Sequence, residues 1–164
     1  MRSSPVTDIG LVILAASAAF VFYSLLGGSA PYVLYVFNAF SIIVVVFAIK
    51  RGAVFGGVLG TVCGLLQDSF SFGVFGVAGL TKTLLGLLAG YVSAEVDVTS
   101  PRRSGLFILV ISFLEVMLWM ALVGLVRGQR LNLQDGLLLL QPFATAFLAG
   151  LALWLERLAR SRGF

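Results

Sequence analysis

Residues 105–126 read GLFILVISFLEVMLWMALVGLV, 22 residues carrying a single charge, Glu115, and no proline. At about 1.5 Å per residue such a helix is about 33 Å long, and the hydrocarbon core of a bilayer is about 30 Å thick. The run is continuously apolar where a barrel strand would alternate, so it predicts a membrane-crossing helix. Working outward, five further stretches of the same character occupy residues 9–26, 32–49, 52–66, 74–92 and 136–155. The expectation is an all-α polytopic membrane bundle, six transmembrane helices in a single integral membrane domain spanning 1–164. The longest connection, residues 93–104, has no room for a soluble domain.

Composition points the same way. Of the 164 residues 60% are hydrophobic and 11% charged, and the mean hydropathy is +1.09; a soluble chain averages about 45–50% and about 25%. The cations set the predicted orientation. With both ends inside, the cytoplasmic segments hold Arg2, Lys50, Arg51, Arg102, Arg103, Arg157, Arg160 and Arg162, and the outer ones hold Arg127 and Arg130. That asymmetry predicts N-in, C-in. Arg2 and Ala16-Ser17-Ala18 imitate a cleavable leader, but apolar character continues to Leu26, so the segment is expected to stay as an anchor.

The chain has one cysteine, Cys63, and no histidine. A disulfide, a zinc cluster and a Cys-His nucleophile therefore lack support. No phosphate loop, Ser-x-x-Lys motif or intramembrane aspartate pair occurs either. No enzymatic activity, cofactor or metal is expected. Nucleic acid is not an expected partner, because the basic residues are the flanks that topology requires.

Glycines organise the middle of the chain. Gly52, Gly56, Gly60 and Gly64 recur every four residues, and Gly86 and Gly90 repeat the spacing on the following span. Such stripes let backbones approach closely in lipid, where apolar burial no longer drives helix association. They suit internal packing or a partner-binding face, and self-association stays open. Between the two spans lies Gln67-Asp68-Ser69-Phe70-Ser71-Phe72-Gly73. Asp68, Ser69 or Ser71 is placed to cap the opening N–H groups of the next helix, and Gln67 and Asp68 are alternatively an outer partner contact. Phe70, Phe72 and Phe75 are expected to dip into the membrane interface.

Gly64-Leu65-Leu66-Gln67-Asp68, followed by Gly73, Gly76, a run of leucines and Gly90-Tyr91, resembles the signature segment of the rod shape-determining protein MreD family. Chain length, Pro31 at the second span, Leu139-Leu140-Gln141-Pro142 at the last and the basic tail Arg157, Arg160, Arg162 are similar too. The resemblance implies a multi-pass protein of the bacterial inner membrane. It also implies a non-catalytic scaffold of the cell-elongation complex, regulating cell shape and lateral peptidoglycan synthesis. Its partners would be MreC directly, with MreB and the RodA and penicillin-binding-protein synthase pair in the wider complex.

Lys82 and Glu115 depart from that signature and are the only charges inside the predicted spans. An ionisable group at mid-membrane costs about 2.5–3.5 kcal/mol on insertion scales, so each is a functional candidate. Counted from their span ends, at about 12 and 15 Å in a core of about 30 Å, they lie near one level. Lys82 shares a helical face with Ala78, Gly79 and Gly86, which directs it into protein. The two are predicted to pair, either fixing which helices meet or forming a ligand, proton or partner site.

Asn38 and Ser41, in the middle of the second span, are expected to hydrogen-bond between helices. Met117, Trp119 and Met120 fit core or lipid contact better than a pocket. Pro142 falls in the first two turns of the last span, where a missing N–H is tolerated. Trp154 to Arg162 alternates apolar and basic residues, suiting anionic lipid or a cytoplasmic filament. An alternative from another class is a small-molecule-binding subunit of an energy-coupling-factor transporter, also a compact six-span fold. Ala15 and Ala19 resemble its docking alanines, yet only Gln67, Asp68, Asn132 and Gln134 supply polar groups near the outer face, with Lys82 and Glu115 deeper.

Overall fold

The computed structural model describes residues 5–26, 36–70, 74–95, 101–127 and 138–161. Among the described residues the chain forms six helices and no strand: α1 (Pro5–Leu26), α2 (Ala39–Arg51), α3 (Ala53–Asp68), α4 (Val77–Glu95), α5 (Pro101–Arg127) and α6 (Gln141–Ser161). Two of them, over Val77–Glu95 and Arg103–Val126, are long and apolar enough to cross a membrane. The apolar parts of three others, Val12–Leu25, Ala53–Asp68 and Gln141–Leu155, are shorter. Six helices therefore match the six apolar stretches, while length and apolar character together suffice for crossing, among the described residues, in α4 and α5.

The second stretch is not one helix. Val36 is helical, Phe37 and Asn38 are not, and α2 opens at Ala39. Asn38 caps the new helix, its Oδ1 accepting the Ser41 N–H at 3.1 Å. Asparagine favours this position because its short side chain reaches an N–H that has no partner inside the helix. The Phe37 carbonyl accepts a hydrogen bond from Tyr23 Oη of α1 at 3.3 Å. Asn38 is thus a helix cap, where the sequence suggested an interhelical donor in mid-span. Tyr23 and Phe20 pack with Phe70, at centroid distances of 6.0 and 4.8 Å, so Phe70 is engaged with α1. Phe75 is exposed, and Phe72 lies outside the described residues.

One residue, Gly52, joins α2 to α3. Its φ of +90° belongs to the region that L side chains avoid, and its N–H closes α2 on the Ala48 carbonyl at 2.8 Å. Gly52 therefore departs from the expected stripe. A Cβ added there would meet nothing, whereas one at Gly56, Gly60 or Gly64 would strike the backbone of α4 at Gly86, Lys82 or Ala78. The stripe begins at Gly56. Each four-residue step down α3 is answered by four residues back along α4, with Gly90 completing the register against Gly52 and Ala53. This is the small-residue packing that brings antiparallel backbones into contact.

Around this hairpin α2 packs on α3, α4 and α6, α5 packs on α4 and α6, and α1 packs on α2. The shared core is apolar and centred on α2, with Phe40, Val44, Val45 and Ala48 meeting Cys63, Leu85, Ala89, Ile108 and Ala149. Cys63 is fully enclosed in it.

Candidate functional site

Three helices place one polar side chain each into the apolar centre. Ser41 lies in the first turn of α2, where the Asn38 cap holds its backbone. Lys82 lies on the α4 face that touches α3, with Gly60 against its own carbonyl, so its side chain leaves between the neighbouring helices. Glu115 comes from the middle of α5. Lys82 Nζ donates to Glu115 Oε1 at 2.6 Å and to Ser41 Oγ at 2.8 Å, and Ser41 Oγ donates to Glu115 Oε1 at 2.7 Å. The three form a closed ring of hydrogen bonds. The Lys82 and Glu115 side chains are 1% and 3% exposed.

At that depth the pair lives on mutual attraction. Burial strips both charges of water, and the attraction in a poorly polarisable interior repays this only with good geometry and added hydrogen bonds. Ser41 supplies the added bonds. The structure therefore brings together Lys82 and Glu115, which the sequence singled out, and adds Ser41, which the sequence offered only as general interhelical glue. The ring ties together α2, α4 and α5 through one side chain from each.

A second constellation closes the α3–α4 turn. Asp68 is buried at the end of α3, and its carboxylate accepts N–H groups from Gly76 (2.9 Å), Ala78 (3.2 Å) and Gly79 (3.0 Å). These donors open α4 and have no partner within the helix, and a negative charge there complements the helix dipole. Gly76 adopts φ +96° to make the turn. Gln67, beside it, is half-buried. Ser69 instead returns its hydroxyl to the Leu65 carbonyl at 3.0 Å, and Ser71 lies outside the described residues.

A third polar contact escaped the sequence reading. Thr61 Oγ1 of α3 and Thr83 Oγ1 of α4 lie 2.8 Å apart on the exposed side of the hairpin. Each is also within reach of a carbonyl one turn back, Gly57 at 3.0 Å and Gly79 at 2.7 Å, so with one proton apiece one threonine donates to the other and the second donates to its own carbonyl. The antiparallel register that the glycines impose places them opposite each other, so the signal lay in combining the two stripes. Of the basic tail, Arg157 and Arg160 fall on α6 and Arg162 lies outside the described residues.

No family model matches the chain, and no curated protein or solved structure matches it either.

Proposed function

We propose that the chain is a six-span inner-membrane protein with both ends cytoplasmic, and that it acts as a non-catalytic scaffold of the MreD kind. In this role it holds MreC and, through it, the wall-elongation machinery. The observation that carries the membrane part is an inverted polarity. Large apolar side chains such as Leu14, Val54, Phe75, Leu125 and Phe147 are exposed on α1, α3, α5, α6 and the turn before α4, while Ser41, Lys82, Ser112, Glu115 and Thr145 are buried. Water would oppose apolar cover on so many sides, whereas lipid accepts it.

The scaffold part is supported by the segment that resembles the MreD signature. Within it Asp68 locks the turn and the glycines lock the hairpin, which makes a rigid element. A partner helix would dock on the exposed apolar surface around this hairpin.

The test is isolation of the tagged protein in mild detergent from its native cells, with mass spectrometry of what accompanies it. Recovery of MreC with the synthase pair is expected. Recovery of a transmembrane coupling subunit with paired ATPases would replace this reading by the transporter one.

A further inference from the structure

Glu115 commits one carboxylate oxygen to the buried ring. Its Oε1 accepts from both Lys82 and Ser41, whereas Oε2 is buried and accepts from no group among the described residues. A buried acceptor left unmet is costly, because the water it gave up is not replaced. Glu115 also forms part of the wall of a cleft between α4 and α5, with Thr81, Leu84, Leu88, Ile111 and Leu114. Leu84, Leu88 and Leu114 are partly exposed, so the cleft opens at the surface of the bundle. It has room for a water molecule. The other polar wall residue, Thr81, spends its hydroxyl proton on the Ala78 carbonyl at 3.2 Å.

We propose that this cleft is a binding site for one small O–H donor, a water molecule or the hydroxyl of a short alcohol, which hydrogen-bonds Glu115 Oε2. Size and chemistry define the guest. Lys82 already neutralises the carboxylate, so a charged ligand would lose its hydration among leucines without a counter-charge. A neutral donor completes the carboxylate at little cost in desolvation. The guest sits between α4 and α5 beside the ion pair that joins them, so its occupancy is linked to the pairing of these helices. This inference is independent of which partner the protein holds.

The test uses the full chain in phosphatidylcholine nanodiscs, a lipid without O–H or N–H donors, and infrared spectroscopy of the Glu115 carboxylate band, identified as the one that Glu115→Gln removes. Leu88→Phe fills the cleft from its rim without adding a donor, and Leu88→Ile alters shape without filling it. The expected result is a band moved in Leu88→Phe, in the sense of a lost hydrogen bond, and unmoved in Leu88→Ile. Added 1-butanol then distinguishes the sources. A saturable shift in the parent chain that is absent in Leu88→Phe assigns an alcohol hydroxyl, and no shift on top of the Leu88→Phe difference assigns water. Identical bands in the parent and Leu88→Phe, with and without butanol, overturn the proposal, as does an equal shift in Leu88→Ile. Should Leu88→Phe lose its helical circular dichroism, Leu114→Phe fills the same cleft from α5 and carries the same expectations.

Discussion

Helix α4 is held on its two sides by opposite means. Against α3 it meets glycine with backbone, and an added Cβ at Gly56, Gly60, Gly64, Gly86 or Gly90 would overlap main-chain atoms of the facing helix. Against α5 it meets leucines that leave a cleft, bridged by the Lys82–Glu115 pair. The first contact is a matter of shape and tolerates no added volume. The second is a matter of charge, with room to spare. The difference separates a rigid hairpin from an adjustable joint, and each side fails under a different kind of substitution.

The largest effect is expected at the joint. Lys82→Leu or Glu115→Leu alone strands a buried charge and should cost about 3–5 kcal/mol. The double replacement by leucine removes both charges and should recover most of that loss. Equilibrium unfolding of the four proteins in mixed detergent gives the coupling. A double variant no more stable than the weaker single one would remove the pair's claim to hold α4 against α5.

The hairpin should respond to volume instead. Gly60→Ala drives a methyl into the Lys82 carbonyl and the Thr83 nitrogen, which cannot swing aside, and should cost about 1–3 kcal/mol. Gly124→Ala on α5 is the matched control, because nothing lies within 4 Å of its added Cβ. There the gain in helix propensity should leave stability equal or raised by up to about 1 kcal/mol. Equal losses at the two positions in the same unfolding assay would mean that the close approach of α3 and α4 is not what the glycines provide.

Between these regions the sequence was legible to different degrees, for physical reasons. The helices follow from apolar runs, and the Lys82–Glu115 meeting follows from two isolated charges whose depths match when residues are counted. That the α3–α4 turn caps α4 was readable too, but only as a choice among Asp68, Ser69 and Ser71, since any of these side chains in a short turn can face unpaired N–H groups. The break at Phe37–Asn38 was not, because an apolar run looks the same whether or not the helix is continuous, and Asn38 alone does not say whether it caps or bridges. Gly52 was misplaced for a related reason: four-residue spacing cannot tell a glycine that ends a helix from one that lines it. Ser41's part in the ring and the open oxygen of Glu115 depend on distances between three helices, which no single stretch contains.

Asp68 sits where the rigid hairpin turns, so its loss should loosen one end of the shape-held contact without touching the joint. Asp68→Ala leaves the Gly76, Ala78 and Gly79 N–H groups without their acceptor, and a cap of this kind is worth about 0.5–2 kcal/mol. Amide hydrogen exchange should quicken at the opening turn of α4 and stay unchanged around Lys82. Faster exchange along the whole of α4 would mean that the cap, more than the glycine register, holds the hairpin.

The smallest effect is expected on the exposed flank. Thr61 and Thr83 add a hydroxyl contact to a hairpin whose backbones are already in register. Each hydroxyl also has a carbonyl one turn back, so losing the other leaves neither oxygen bare. Hydrogen bonds between helices in lipid average about 0.6 kcal/mol, and Thr83→Val should lose about that much or less. Thr61→Val should match it, and the double variant should lose no more than either single one if the shared contact is the source. A loss several times larger would place the flank among the determinants of the hairpin. The antiparallel register would then rest on paired hydroxyls as well as on glycine, and the contrast between a shape-held and a charge-held side of α4 would have to be redrawn.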